Sequence, residues 1–536
     1  MKRRTAILFA GLFVCICISI YRLYSLAQGG ALQTAAANNA IYKLKVASAR
    51  GTIYDCNKVP LVNTKKSTVA AIFPTDSTPA ILSKLISFEK INDILPFLQN
   101  KKPFCISLEN NDTSVMSEDI LYFKVPKRYS EDQLAPHILG YLNCDGEGVF
   151  GMEKAFNQYL KESKGSIELK YKMNALGKLI TDNQVFVEDN MAKQRQGVVL
   201  TLDKKIQTIT QNIATQYLKK GAIIVTQVPN GKIRAFVSMP LFVPESIALY
   251  LDDPDTPLVN RGLASYNLGS IFKLVCVAAY AESNLKLDEN FNCQGSIDVS
   301  DGTYRCHNST AHGVINAPLA IAHSCNTYFV NLSKSLDPLY FLDFAQKLGF
   351  GQKLELAPNM NSPAGILPSL ESLQDPKLMA NLSFGQGKLM ATPIQVAGLV
   401  NTIAANGIYY APSLVEGLVD ENLEFTKKVP ARSGSRVFSK STADILKEGM
   451  ILSATIGTGT SGKPEDIDVA VKTGTAQTGI RVADRAVLQA WYVGFFPSDN
   501  PKYSIVVFAE DAESGSKSCG PIFKRLVQEI CYNSLI

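Results

Sequence analysis

Three short motifs along this chain carry residue types that together can form a serine acyl-transfer site. Ser270 and Lys273 are three residues apart, Ser324 and Asn326 are two apart, and residues 472–475 read Lys-Thr-Gly-Thr. A serine hydroxyl is a weak nucleophile at neutral pH and needs a neighbouring base to accept its proton. Each motif alone is common, so the informative feature is that all three occur in this order.

The first motif is expected at the start of a buried helix. A spacing of three places Ser270 and Lys273 on one helical face, and residues 269–279 are apolar apart from this pair. A lysine pKa is ordinarily about 10.4, so a lysine base near neutral pH needs a fall of roughly three units. Burial and the nearby charge of Lys472 would lower it. We therefore expect Ser270 to be the nucleophile and Lys273 the base, although a capping serine and a surface lysine would give the same pattern.

The second motif is expected in a loop or at a helix edge, with its side chains pointing into a cleft. Ser324 would pass a proton to the departing amine, and Asn326 would hold the substrate amide. Taken alone, these two residues fit an ordinary turn or helix cap equally well.

The third motif lies in residues 466–476, whose alternation and β-branched residues predict a strand. A glycine in a strand lets another backbone approach and pair with its edge. The lysine and the last threonine would hold a substrate carboxylate, and the amides of Ser270 and Thr475 would form the oxyanion hole. An ordinary strand and turn is the alternative. The predicted substrate-binding residues are Lys472, Thr473, Gly474 and Thr475.

On these motifs, the chain resembles the class B, monofunctional penicillin-binding proteins, and the resemblance extends over nearly the whole chain. It departs from the family pattern at Leu268, where proline is usual, at Ile271, where threonine is usual, and at Cys56 and Lys58 in an amino-terminal signature. None of these departures removes a catalytic group. Similar stretches lie at 50–55, 198–203, 221–225, 235–240, 260–261, 312–313, 385–387, 392–395 and 491–497.

The resemblance implies a fold and an activity. The fold would be α+β, with an antiparallel sheet flanked by helices as in serine β-lactamases and D,D-peptidases, behind a membrane anchor and an elongated non-catalytic pedestal. The activity would be peptidoglycan D,D-transpeptidation, which crosslinks stem peptides through a serine acyl-enzyme without a cofactor. β-Lactams would inhibit it by imitating the donor peptide. With no glycosyltransferase module recognised in the sequence, a membrane glycan polymerase is the expected partner, in division or sporulation slightly more than in elongation.

The charge and hydropathy pattern predicts the anchor, and the resemblance implies the domains that follow it. Residues 1–4 would be cytoplasmic, 5–27 a transmembrane anchor, 28–190 the pedestal and 191–536 the extracytoplasmic transpeptidase domain. Lys2, Arg3 and Arg4 precede the apolar run, and this charge bias keeps the amino terminus inside. A cleaved signal peptide ending near the alanines at 35–37 is the alternative.

Composition limits the other classes of function. The chain has 536 residues and a net charge of +6 without a long basic run, so nucleic-acid binding is not expected. It holds 11 cysteines and 4 histidines. Cys293 and Cys306 flank a predicted hairpin and are the one pair considered for a disulfide, which the sequence leaves open. The histidines share no ligand spacing, and no metal is predicted.

Two rival functions remain. A D,D-carboxypeptidase or β-lactamase would hydrolyse the same acyl-enzyme, and Glu355 with Asn359 has the spacing of the deacylating glutamate of class A β-lactamases. Against this, the anchor and pedestal are unexpected in a soluble drug-degrading enzyme. A β-lactam sensor or scaffold without catalysis is the second rival, but few residues precede the span to carry a cytoplasmic signal.

Overall fold

A computed structural model of the chain describes residues 2–28, 41–85, 88–99, 102–108, 113, 119–173, 185–482 and 485–535. The chain forms two compact units, each assembled from separate stretches. The first consists of Met1–Arg50, Lys65–Lys127 and Lys164–Gln194, and the second of Gly51–Thr64, Arg128–Ser163 and Arg195–Ile536. The chain enters the second unit for the last time after Gln194, near the predicted boundary at 190. Two earlier stretches, Gly51–Thr64 and Arg128–Ser163, also belong to the second unit.

The first unit begins with a helix, Lys2–Gln28, that is long and apolar enough over Arg3–Gln28 to cross a membrane. This agrees with the predicted span at 5–27. The alternative cleavage site at 35–37 lies outside the described residues.

Two antiparallel sheets of three strands make up most of the rest of the first unit. In spatial order they contain Ile41–Ala49, Gly165–Lys172 and Phe186–Asp189, and then Phe104–Leu108, Lys65–Ile72 and Ile120–Lys127. The accompanying helices are Thr78–Leu85 and Phe88–Gln99.

The second unit is built around a five-stranded antiparallel sheet. Alternate residues of its strands face opposite sides, so that Ile224 belongs to one core and Ile223 and Val225 to the other. Burial on both faces explains why two inner strands, Gly221–Gln227 and Tyr503–Ala509, are mainly apolar. In spatial order the strands are Ile233–Met239, Gly221–Gln227, Tyr503–Ala509, Arg485–Phe496 and Ala470–Val482.

Helices cover both faces of this sheet, which confirms the predicted fold class. One core includes residues of Lys204–Tyr217 and Gly520–Tyr532. Asp203 caps the first of these helices by accepting hydrogen bonds from the amides of Lys205 and Ile206. The other core includes Lys273–Glu282, Ala317–Ala322, Asn326–Ser333, Pro338–Lys347, Pro376–Ser383, Pro393–Ala404 and Lys440–Thr455.

Smaller elements complete the second unit. A four-stranded sheet contains Phe425–Lys428, Val415–Val419, Gly197–Leu200 and Thr52–Tyr54. Paired short strands are Phe291–Cys293 with Gly313–Ile315, Ser296–Val299 with Gly302–Arg305, Leu354–Ala357 with Met360–Ser362, and Ile408–Tyr409 with Ser435–Arg436. The short helices are Pro136–Leu139, Gly151–Ala155 and Asn157–Glu162.

Candidate active site

Ser270 lies in a 3₁₀ turn, Gly269–Phe272, that runs directly into the helix Lys273–Glu282. Gly269 has a φ of 55°, in the left-handed region that favours glycine. A side chain there would also come within 2.7 Å of the Thr475 carbonyl oxygen. The glycine therefore lets the turn that carries the serine lie directly against the strand of the third motif.

Lys273 is completely buried and links the first motif to the second. Its ammonium group donates to the Ser324 carbonyl oxygen at 2.7 Å, to Ser324 Oγ at 3.0 Å and to Asn326 Oδ1 at 2.7 Å. Burial lowers the pKa of Lys273 to about 7. An amine with that pKa can lose its proton near neutral pH, as a general base must.

Ser324 occupies a strained position between two helices. Its φ of 55° is unusual for a residue with a side chain, and it follows the helix Ala317–Ala322 and precedes Asn326–Ser333. The predicted loop is confirmed. Such strain is characteristic of functional sites, where the surrounding fold holds a residue in a costly conformation.

Lys472 brings the third motif to the same hydroxyl. It is completely buried, and its Nζ donates to Ser324 Oγ at 3.1 Å and to the Thr473 carbonyl oxygen at 2.8 Å. Its pKa lies well below the ordinary value, mainly because of burial and then because of the charge on Lys273. Ser324 Oγ thus accepts hydrogen bonds from the lysines of both other motifs.

The strand Ala470–Val482 forms an edge of the five-stranded sheet, which leaves one side of its backbone open to a further strand. A side chain at Gly474 would come within 2.8 Å of Ile271 Cγ1 and 3.0 Å of the Leu268 carbonyl oxygen. The glycine is therefore needed for contact with the serine turn, a reason that the sequence did not reveal. Thr475 is exposed beside it.

With the geometry established, the chain can be compared with known proteins. The family model of the penicillin binding protein transpeptidase domain matches residues 221–528. The chain belongs to this family. The matched region contains all three motifs.

Relatives and solved structures agree with this assignment. Stage V sporulation protein D of Bacillus subtilis is 27% identical over 573 aligned residues, covering 100% of this chain and 85% of the relative. A Helicobacter pylori penicillin-binding protein solved with MreC has a TM-score of 0.67 at 23% identity, covering 92% of this chain and 99% of that one. Penicillin-binding protein 3 of Mycobacterium tuberculosis, complexed with aztreonam, has a TM-score of 0.66 at 21% identity, covering 92% and 98%. The predicted class, a D,D-transpeptidase of cell-wall synthesis, is confirmed.

One expected contact of the candidate site is absent from the described residues. Among the described residues, no hydrogen bond joins the side chains of Ser270 and Lys273, although both belong to one turn. Catalytic hydrogen bonds are often long without substrate and tighten only in the reacting complex. The half-buried Ser270 is positioned by its turn.

The rival candidates lie in other surroundings. Glu355 is exposed and lines a groove with Lys232, Glu416 and Arg432, and none of the groove's lining residues belongs to the three motifs. The Ser-x-x-Lys spacing also occurs at Ser87 with Lys90 and at Ser514 with Lys517. The Lys517 side chain is 75% exposed and pairs with Glu513. Ser87 lies outside the described residues.

Cysteine positions near the second motif were not anticipated. Cys293 and Cys306 are free, with their sulfur atoms 3.7 Å apart. Cys325, which lies between the serine and asparagine of the second motif, and His312 join them in one cluster. Spacing alone did not reveal it because the four residues come from separate elements, although a cysteine inside a catalytic motif was a usable signal.

Proposed function

We propose that this transpeptidase crosslinks peptidoglycan stem peptides through an acyl-enzyme on Ser270. The observation that carries the proposal is the buried Lys273, which lies within one turn of Ser270 and donates to both polar residues of the second motif. A neutral amine in this position could accept the serine proton. Lys472 reaches the same Ser324 hydroxyl from the third motif.

Acylation would begin when Ser270 Oγ attacks the penultimate carbonyl carbon of a stem peptide ending in D-Ala-D-Ala. The serine proton passes to Lys273 Nζ, and the amides of Ser270 and Thr475 stabilise the negative charge on the carbonyl oxygen. The carbon–nitrogen bond then breaks, and the leaving D-Ala receives a proton through Ser324 Oγ. Asn326 holds the substrate amide, while Lys472, Thr473, Gly474 and Thr475 bind the donor along the open strand edge.

Deacylation would complete the crosslink. An amine from a neighbouring stem peptide attacks the acyl carbon and loses a proton to Lys273. The ester bond to Ser270 Oγ breaks as the new amide bond forms, and Lys273 returns the proton to Oγ. A β-lactam would imitate the donor, acylate Ser270 and stall because its leaving group stays attached. The aztreonam complex of the M. tuberculosis relative supports this part of the proposal by analogy.

The enzyme would act at the outer face of the cytoplasmic membrane. The helix Lys2–Gln28 begins with three basic residues before its apolar run, which favours a cytoplasmic start and an extracytoplasmic catalytic unit. We further propose a membrane glycan polymerase as its partner, contacted through the span and the pedestal. The similarity to a sporulation protein supports a role in sporulation or division.

Labelling with a fluorescent penicillin tests the nucleophile. Wild type and Ser514→Ala should be labelled equally, whereas Ser270→Ala should lose labelling while keeping its circular dichroism spectrum. Peptide mapping should place the adduct on Ser270. An adduct on any other serine would overturn the assignment.

A second experiment separates crosslinking from hydrolysis. The purified full chain would be given a donor stem peptide with and without an acceptor amine, and the products separated by mass spectrometry. A transpeptidase should form the crosslinked product when the acceptor is present. Release of D-Ala with only hydrolysed donor, whatever the acceptor concentration, would favour the carboxypeptidase.

A further inference from the structure

Four metal-ligating side chains meet beside the second motif. The cysteine–histidine cluster consists of Cys293, Cys306, His312 and Cys325, whose ligand atoms all lie within 4.8 Å of one another. The three cysteines are buried, with exposed fractions of 1%, 3% and 0%, and the histidine is half-buried. None of these side chains has a role in the proposed acyl transfer.

The distances within the cluster match those of a tetrahedral metal site. Cys306 Sγ lies 3.7 Å from both Cys293 Sγ and Cys325 Sγ. A tetrahedral zinc ion with zinc–sulfur bonds of about 2.3 Å has sulfur–sulfur edges of about 3.8 Å. His312 contributes Nδ1 at 3.2 Å from Cys293 Sγ. A disulfide would instead need sulfur atoms about 2.05 Å apart.

Thr327 supplies a hydroxyl against the sulfur atoms of the cluster. Its Oγ1 donates to Cys293 Sγ at 3.2 Å and lies 3.2 Å from Cys325 Sγ. Hydrogen bonds from a second shell of residues orient metal ligands and stabilise thiolate charge. Thr327 is completely buried, so its hydroxyl is shielded from solvent and contacts the cysteine sulfur atoms.

We propose that the cysteine–histidine cluster binds one structural Zn²⁺ ion through three thiolates and one imidazole. Three cysteines and one histidine are a recognised ligand set for a closed, four-coordinate zinc site. Because all three cysteines would bind as thiolates, the complex would carry a net charge of −1. With four protein ligands and no open position, the ion would hold structure and would not activate water.

The ion would fix the second motif relative to its surroundings. Cys325 lies between Ser324 and Asn326, and Asn326 Nδ2 also donates to the Arg305 carbonyl oxygen at 2.8 Å. Zinc would therefore join the second motif to Cys306, the residue after Arg305. It would also join the motif to the paired strands Phe291–Cys293, which ends in a ligand, and Gly313–Ile315, which follows the ligand His312. The ligands would be positioning residues, since they hold the groups that accept hydrogen bonds from Lys273.

Metal analysis of the full chain, purified in detergent with a mild reductant, tests the site. Mass spectrometry of the digested protein should find about one zinc per wild-type chain. Cys306→Ser and His312→Ala should reduce the zinc content at least tenfold, while the control Cys519→Ser, which changes a buried cysteine outside the cluster, should keep it. Zinc retained in both cluster variants would overturn the proposal.

Two measurements on wild type avoid the risk that a variant fails to fold. Co²⁺ added to the zinc-depleted chain should give visible bands of a tetrahedral site and a thiolate charge-transfer band, saturating at one equivalent. Alkylation should modify three more thiols after chelation than before it. A Cys293–Cys306 disulfide in protein isolated without reductant, or no equimolar Co²⁺ binding, would contradict the site. Penicillin labelling of Ser270 is independent of both readouts.

Discussion

Lys273 and Lys472 are both completely buried and both donate to Ser324 Oγ, yet their proposed tasks differ. Lys273 must become neutral to accept a proton, whereas Lys472 only has to present a cation to the substrate. Arginine keeps its positive charge in a protein and cannot serve as a base. We therefore expect Lys273→Arg to slow acylation by about a hundredfold or more, the scale of general-base catalysis.

Lys472→Arg is the matched control because a guanidinium can still bind a carboxylate. Its acylation rate should fall less than that of Lys273→Arg. The second-order rate constant for acylation by a β-lactam would be measured for both variants after their circular dichroism spectra are shown to match wild type. Near-normal acylation by Lys273→Arg would contradict the base assignment.

The pH dependence of acylation follows from the lowered pKa of Lys273. Burial moves it from 10.5 to about 7, although nearby Cys325, Cys306 and Cys276 act in the opposite direction. Lys472 is the other buried lysine at the Ser324 hydroxyl. Below pH 7 the amine is protonated and cannot act as a base. The acylation rate should therefore rise about tenfold per pH unit well below 7 and level off above it.

A stopped-flow pH profile with a β-lactam whose own charge is constant over this range would check the expectation. Ser514→Ala, which changes a serine outside the proposed site, should give the same profile. A rate that stays flat between pH 5 and 9 would show that no group with this pKa controls acylation.

At the scale of single residues, the sequence predicted that the three motifs lie close together in the fold, but not the backbone conformation that allows it. The order of the three motifs was enough to predict that Lys273, Ser324 and Lys472 lie close together. It could not reveal the left-handed φ of Ser324, because backbone strain depends on what surrounds a residue. The cysteine–histidine cluster was missed for a similar reason, since its members come from different elements.

At the scale of elements, the strand Ala470–Val482 and the serine turn Gly269–Phe272 must approach closely. Gly474 permits this approach, because a side chain there would meet Ile271 at 2.8 Å. We expect Gly474→Ala to push the strand and the turn apart and to reduce acylation by about a hundredfold, the cost of roughly 1 Å of misplacement. The melting temperature should change by only a few degrees, whereas the acylation rate should fall by this factor.

Gly302→Ala provides the control, since a side chain at that glycine would make only ordinary contacts at 3.5 Å or more. Both variants would be compared by acylation rate and by melting temperature. Equal acylation by Gly474→Ala and wild type would show that the contact between strand and turn is not needed for the reaction.

Element prediction succeeded where a strand or helix carries its own pattern. The strand predicted at 466–476 is confirmed as part of Ala470–Val482, because alternation and β-branched residues are a signal that the segment itself carries. The interleaving of the two units was not predicted. Gly51–Thr64 and Arg128–Ser163 belong to the second unit through contacts distant in sequence, such as the parallel pairing of Thr52–Tyr54 with Gly197–Leu200.

At the scale of the whole molecule, the apolar helix near the amino terminus determines where the catalytic unit is located in the cell. Lys2–Gln28 is long enough to span a bilayer, and the basic residues at its start favour a cytoplasmic amino terminus. A helix of this kind near an amino terminus is also typical of a secretory signal. Retention or cleavage of this helix therefore decides whether the catalytic unit stays at the membrane, as the proposed polymerase partner requires, or diffuses away.

Protease protection in intact spheroplasts distinguishes these two outcomes. If Lys2–Gln28 is an uncleaved anchor with the catalytic unit outside, added protease should degrade the chain and leave only a short membrane-embedded fragment. Sequencing of that fragment should find the original amino-terminal residues, and a cytoplasmic marker protein should stay intact. Replacing Lys2, Arg3 and Arg4 with acidic residues should reduce the digested fraction, because the charge bias that orients the helix would be lost. A mature amino terminus near residue 38, or full protection of the wild-type chain, would overturn the proposed topology.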